Sequence, residues 1–452
     1  MTTLSFPKTA RPALALLGLG LGVAGCQPKL DAANPSPSAN GLDFTSYVAV
    51  GNSLTSGYTD GGLYNEGQAT SYPAILAQQF AKTGKGPANF VQPAFSSTKK
   101  DGSGYIKLQV VNGALAPVVP SAANNYLSEQ LAVTGNALPG GPQLEAYSGN
   151  QPDNLGVPGI SVLSSVSSLT GGLAPYGLIN PFYERLLTPA EKPTKDYVTY
   201  IGQKSATFFT CWMGNNDVLA YATAGGVVQP TNPFGDLTDT TRFGIGYRAI
   251  VGTISKGGTV KGAVANIPNV TSVPYFNTVT VAAVAAAFKA ANAASPGVFI
   301  QTGTAAAPVV RLATSADLLT LTAQPLVAAG AGSLPSNPVP NQYVLDATEI
   351  ASVTARTTQL NNIIAKTAQR FKVPVVDANS FLTRLANSGI ATNAVNNTAT
   401  FASGNAFGLD GVHPSPRGYA IIANEWIRVI NNYYGSTVPQ VDPNLYRGVL
   451  LP

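Results

Sequence analysis

The chain contains one histidine in 452 residues, so any imidazole chemistry must run through His413. Its setting is Leu409-Asp410-Gly411-Val412-His413-Pro414, with a carboxylate three residues before the imidazole. In a glycine-containing turn leading into a helix, that spacing lets Asp410 reach Nδ1 of His413, fix its tautomer and stabilise the imidazolium. Such a base needs a nucleophile, and the sequence offers Ser53 in Val50-Gly51-Asn52-Ser53-Leu54. A serine hydroxyl attacks a carbonyl only when a neighbouring base takes its proton, and His413 is the one conventional base available. Two further segments carry polar donors. Gly214-Asn215-Asn216-Asp217 puts side-chain amides after an apolar run, and Asn154-Leu155-Gly156-Val157-Pro158-Gly159 puts glycine amides where a backbone N–H can approach an oxygen. One such donor to a developing oxyanion contributes about 3 kcal/mol. Taken singly, each segment also has a plainer reading: a surface histidine, a helix-capping serine, a strand-ending turn, a Gly/Pro loop.

The flanking elements decide whether these residues can meet. Short apolar runs at 44–50, 206–213 and 260–267 and the VPVVD run at 373–377 read as buried strands. Helical patterns follow over 71–81, with Ser71 as cap and Pro73 in the first turn, and over 243–254, 350–371 and 419–433. Strands alternating with helices predict a three-layer α/β/α fold with a mostly parallel central sheet, flavodoxin-like in type. Ser53 and the Gly-Asn-Asn-Asp segment both follow strands, at the carboxyl edge where such sheets bind ligands. The stretch 85–154 is dense in Gly, Pro, Asn and Ser and reads as loop. The stretch from about 272 to 342, with its β-like pieces VFIQTG and PVVRLA, reads as an inserted subdomain. The 393–407 segment joins these two as a shaper of the pocket.

Together and in this order, GNSL, NLGVPG, GNND and DGVH resemble the signature blocks of the SGNH (GDSL-type) hydrolases. The resemblance runs from about Asp43 to Tyr434. It implies a serine ester hydrolase with Ser53 as nucleophile, His413 as base and Asp410 as its orienter. It assigns the oxyanion hole to the amides of Ser53 and Gly159 (Gly156 being the second choice) and the side chain of Asn216. No metal or organic cofactor is implied. One departure is Asn52, where the namesake motif has Asp. The substrate stays open among acyl lipids, acetylated glycans and small esters. A catalytically silent, glycan-binding surface protein on the same fold is the rival reading.

The N-terminus carries its own signal. Lys8 and Arg11 precede an apolar run over 13–24, too short to span a bilayer. It ends in Val23-Ala24-Gly25-Cys26, which resembles a bacterial lipobox with Cys26 as the lipidated residue. The expected organisation is a signal peptide over 1–25, a Pro/Ser/Asn-rich tether over 26–42, the hydrolase domain over 43–436 and a tail over 437–452. Gln27 after the cysteine points to outer-membrane sorting, and the attached lipid makes the membrane a partner. Charged residues are only 10% of the chain, against roughly a quarter in ordinary soluble domains, so its surface polarity must come from amides and hydroxyls. The net charge of +5 contains no basic run, which argues against nucleic acid as a partner. With one histidine and only Cys26 and Cys211, the chain lacks the ligands of an all-protein zinc site or a disulfide framework.

Overall fold

The run Tyr47-Val48-Ala49-Val50-Gly51 is buried at every position, as expected of a strand covered on both faces of a parallel sheet. It forms β1 (Tyr47–Gly51). The computed structural model describes residues 35–452, apart from residues 112, 120–129, 139–140, 168–179, 193, 229–231, 233 and 305. The proposed signal and Cys26 therefore lie outside the described residues. Beside β1 run β2 (Phe208–Trp212), β3 (Lys261–Ala265) and β4 (Val375–Val376), in the spatial order β1-β2-β3-β4 and parallel throughout.

On the outer edge of β1 the chain at 153–157 runs parallel to it. The Ala49 amide donates to the Asp153 carbonyl at 2.9 Å, and the Leu155 and Val157 amides donate to the Ala49 and Gly51 carbonyls at 2.8 and 3.0 Å. Counting this segment, the second sheet element in the chain lies outside the first, and the chain then reverses direction to build β2, β3 and β4 on the other side. This is the flavodoxin-like order, with its topological switch beside β1.

Right-handed crossovers put the helices built on the two sides of β1 on opposite faces of the sheet. On one face lie α2 (Tyr72–Ala81) and α8 (Pro416–Tyr434), the latter returning after β4. Ser71 caps α2 by accepting the Ala74 amide, and Ser415 caps α8 with Pro416 at the first helical position. The two helices meet where the Tyr72 and Trp426 rings stack at 5.2 Å, with Trp212 of β2 edge-on to both. The other crossovers supply α3 (Tyr197–Gly202), α4 (Asn216–Thr223), α5 (Thr240–Ile254) and α6 (Ala347–Phe371), which pack on one another. A capping box between Asp346 and Glu349 starts α6, three residues before the expected boundary. Then α7 (Ala378–Asn387) follows β4 directly.

Three stretches differ from their sequence reading. The segment 85–154 contains two hairpins, Lys107–Val111 with Ala114–Val118 and Val133–Leu138 with Gly141–Leu144, where loop was expected. The insertion holds the expected β pieces as a hairpin, Phe299–Thr304 with Ala307–Leu312. It also holds a helix, Val281–Ala291, capped by Thr280, and a small core of its own around Val284, Val298, Ile300 and Val339. The flanks are docked. From Ser38 onward the stretch read as tether lies on the body, with Ala39 buried, the Asn40 amide donating to Tyr434 O at 2.8 Å and the Thr437 amide donating to Ser38 O at 2.9 Å. Among the described residues no helix is long and apolar enough to cross a membrane.

The α2/α8 seam supports the β1 side of the switch, and the Trp426 indole N–H there makes no hydrogen bond among the described residues. Trp426→Ala is expected to cost about 3–5 kcal/mol by opening a cavity, and Trp426→Phe should cost less because it removes less volume and no polar partner. Urea unfolding of both variants checks this. A Phe variant as damaged as the Ala variant would mean that the volume removed does not set the cost.

Candidate active site

Where β1 ends, Asn52 turns the chain into α1 (Ser53–Ser56), its Oδ1 accepting the Leu54 amide at 3.1 Å. Asn52 thus provides an N-cap of the kind an aspartate would, which disposes locally of the departure from Asp. Ser53 opens the helix and is nearly buried, yet its side chain borders a small pocket of about 30 Å³. Among the described residues neither its amide nor its hydroxyl has a hydrogen-bond partner.

The histidine reaches that same pocket from the other end of the chain. The turn 408–413 is closed by the Gly408 amide donating to the His413 carbonyl at 2.8 Å. Within it, Asp410 Oδ1 accepts the amides of Val412 and His413, both at 2.9 Å, and Oδ2 lies 2.7 Å from His413 Nδ1. With Nδ1–H donated to the carboxylate, Nε2 is the basic nitrogen of the ring. A fourth donor comes from far away in sequence, the Gly61 amide, at 2.9 Å from Oδ2. Burial alone would raise the Asp410 carboxyl. The adjacent His413 and the converging N–H donors outweigh burial and hold it below the ordinary carboxylate range.

Gly61 belongs to a turn that sequence reasoning passed over. Asp60 sits there in the left-handed region (φ 52°), almost wholly buried, and accepts the Leu409 amide at 2.8 Å. Its other oxygen accepts the Tyr64 hydroxyl at 3.1 Å and lies 3.7 Å from the Arg447 guanidinium. Arg447, which also pairs with Glu66 at 2.6 Å, comes from the stretch read as a tail. Tyr58 completes the support, its ring 4.6 Å from the His413 ring and its carbonyl accepting the Tyr419 hydroxyl of α8. Thr59-Asp60-Gly61-Gly62 has turn composition, the one local signal for this grip. Its partners, 349 residues away, leave no trace in the local pattern.

The donor residues gather at the switch. Asn216 opens α4 after β2 and lines the pocket with Ser53. Its Nδ2 donates one hydrogen to the Ile160 carbonyl at 2.8 Å, which keeps the amide beside the Ile160–Ser161 peptide and, among the described residues, leaves the second hydrogen unused. The two glycines of the preceding loop separate clearly. Gly156 donates its amide to Asn154 Oδ1 at 3.0 Å and packs so tightly on α1 that a Cβ would lie 2.3 Å from the Ser56 nitrogen. Gly159 is exposed, takes φ 78° and has no acceptor for its amide among the described residues. That conformation favours glycine, and the free N–H fits an oxyanion donor better than the engaged one at Gly156. Asp217 ties the two loops together by accepting the Val162 amide at 2.8 Å.

Leu54, Leu219, Val270, Val273, Leu382 and Ile422 make the rest of the pocket wall apolar. Among the described residues no cluster of three or more metal-binding side chains is present. Cys211 is fully buried in β2, and burial pushes its thiol pKa well up, so it is no candidate nucleophile.

A family model, GDSL-like lipase/acylhydrolase, matches residues 47–426. The chain belongs to this family. The match begins with the first residue of β1 and ends in α8 at the Trp426 seam, so it spans the switch, both donor loops and the Asp410–His413 turn. Arg447 lies beyond it. A comparison with curated proteins finds no match. Membership makes the chain a hydrolase of the ester-cleaving kind.

Two outcomes follow from this geometry. Because the folded-state pKa of Asp410 is depressed, the stability that it contributes is complete above the ordinary carboxylate value of about 3.9 and disappears as pH falls through the folded value. The stability gap between the native protein and Asp410→Asn, from urea unfolding, should therefore narrow as pH drops below about 4; a gap independent of pH contradicts the depressed value. Asp60→Ala orphans the buried Leu409 amide and should cost about 1–3 kcal/mol, with kcat on a small ester reduced by up to about 100-fold at unchanged KM. Lost stability with intact kcat would mean that Asp60 serves the fold alone.

Proposed function

We propose that the protein is a serine ester hydrolase working through an acyl-enzyme on a short acyl group. The observation that carries this is the 2.7 Å contact between Asp410 and His413 Nδ1, in a turn whose imidazole shares a pocket with the Ser53 hydroxyl. In the first half, Ser53 Oγ bonds to the ester carbonyl carbon while its proton passes to His413 Nε2. Asp410 holds the ring and stabilises the imidazolium. The oxyanion is received by the amides of Ser53 and Gly159 and the spare Nδ2 hydrogen of Asn216. The C–O bond to the alcohol then breaks, and the alcohol leaves with the His413 proton. In the second half a water gives its proton to His413, adds to the acyl carbon and releases the acid as the proton returns to Ser53. The short acyl preference is supported by the small, apolar pocket of about 30 Å³, which suits a group the size of acetyl.

Export and anchoring belong to the same proposal. The basic pair, the apolar run and the small residues before Cys26 support a lipoprotein tethered to a bacterial membrane, with outer-membrane sorting favoured by Gln27. Mass spectrometry of the N-terminal peptide should show a diacylated Cys26 as first residue. An unmodified or uncleaved N-terminus rejects the anchor.

Hydrolysis of a chromogenic ester series tests the chemistry. Turnover should be highest for acetyl and fall with chain length. Ser53→Ala should lose at least about 10³-fold in kcat, and Asn216→Ala about 10²–10³-fold, with native unfolding transitions. Equal turnover by native protein and Ser53→Ala removes Ser53 from the mechanism; silence of the native protein on every ester favours a binding protein on the same fold.

A further inference from the structure

Behind one wall of the catalytic pocket lies a second, larger concavity of about 590 Å³. The two share their building elements. Val270 and Val273, in the turn after β3, face the pocket of Ser53 and His413, whereas Thr271 and Ser272 between them face the groove. Along α7, Leu382 lines the pocket and Asn387, at the helix end, lines the groove. In the loop that leads to the histidine turn, Phe407 lines the pocket and Phe401 the groove.

The lining chemistry is narrow. No Lys, Arg, His, Asp or Glu contributes to it. Hydroxyls and amides make its polar part, and the hydrogen bonds they already have fix which role remains to each. Asn277 spends both Nδ2 hydrogens on the carbonyls of Thr271 and Val273, each at 2.9 Å, which leaves Oδ1 as an acceptor. Thr271 and Thr278 donate their hydroxyl hydrogens to Asn269 Oδ1 and Pro274 O, so their oxygens can only accept. Thr400 accepts from the Thr398 hydroxyl and keeps its own hydrogen to donate. Ser272 Oγ and the Asn387 side-chain amide have no hydrogen-bond partner among the described residues. Phe401, half-buried, offers a flat apolar face.

Fixed acceptors, free donors, one aromatic face and no charge together match a ligand whose groups donate and accept at once, on a ring with an apolar C–H face. We propose that this groove binds neutral carbohydrate, at a site beside the catalytic pocket. A phosphate-bearing headgroup would find no cation here, and a long acyl chain would meet a mostly polar wall. The placement beside a catalytic pocket rests on the hydrolase reading, while the groove's affinity for sugar can be measured apart from it.

The experiment is calorimetric titration of the full chain carrying Ser53→Ala with xylotetraose, cellotetraose and chitotetraose, which carry no ester and cannot be turned over. At least one should bind saturably below about 10 mM, and Phe401→Ala in the same background should weaken it at least tenfold. Asn387→Leu, at an exposed helix end where folding is undemanding, should weaken it several-fold and guards against a misfolded Phe401 variant. Absence of saturable binding by all three sugars, or binding indifferent to both substitutions, overturns the proposal. Aryl acetate hydrolysis by the unaltered protein reads the other claim separately. Turnover without sugar binding sinks the groove and keeps the hydrolase. Sugar binding sensitive to Phe401 without turnover keeps the groove as a binding site and sinks the hydrolase.

Discussion

Four N–H groups converge on one carboxylate, and much of the site's geometry follows from that convergence. Asp410 receives two backbone amides of its own turn, the imidazole Nδ1–H and the Gly61 amide. The first three make the turn rigid, while the fourth ties it to the segment that follows α1. An ionised carboxylate out of water is costly unless hydrogen bonds replace its hydration. Three of the donors come from its own turn, and the Gly61 amide adds one from the other end of the chain. Burial and attraction compete at this group, and the depressed value shows that attraction wins. The same carboxylate thereby orients the imidazole and holds the segment after Ser53 against the His413 turn.

That junction is reinforced a layer further out. Asp60 repeats the device by accepting the amide of Leu409, directly before Asp410, and Arg447 supplies the nearby positive charge. The two carboxylates repel, and burial together with that repulsion keeps the Asp60 pKa above the usual range, although the Leu409 amide and Arg447 oppose it. In a chain with only 10% charged residues, placing Asp60, Glu66, Asp410 and Arg447 around one junction is a concentrated use of ionic groups. Neutral side chains fasten other parts of the fold: the Tyr197 hydroxyl donates to the Leu155 carbonyl beside β1, and Asn361 exchanges hydrogen bonds with the backbone of Ile267.

How far the sequence discloses this depends on the range over which each signal acts. β1 and β2 are legible because apolar, β-branched and aromatic residues form a short run stopped by glycine. α2 and α8 are legible because Ser71 and Ser415 cap them through bonds three residues away. The Asp410–His413 contact is legible for the same reason, its partners being three residues apart. The hairpins within 85–154 are not, since Gly, Pro and Asn at high density mark turns without saying which turns join strands. The helix at Val281–Ala291 had a usable signal, an alanine-rich run after Thr280, but its Val content and the adjoining β pieces pull the reading toward strand. Asp60, Gly61 and Arg447 were illegible in principle, because pairing across hundreds of residues has no local period.

Beside Asn216 the shift of the buried carboxyl runs the other way. Asp217 is fully buried, and no cation is among the influences on it. Burial pushes its carboxyl up to about 6, against the amides of Val162 and Leu163 and the Thr238 hydroxyl, which favour the ionised form. A raised folded-state value means that its protonated form is the stabilising one: that contribution is complete below about pH 4 and is lost as pH rises through about 6. Asp410 behaves in the reverse sense, contributing only where it is ionised. At about 6 the group is still mostly ionised at neutral pH, so Asp217 fastens the glycine loop to α4 as a carboxylate whose charge is met by the Val162 and Leu163 amides and the Thr238 hydroxyl. Asp410 has the adjacent His413 as well as N–H donors, and its carboxyl is lowered; Asp217 has neutral donors alone, and burial prevails.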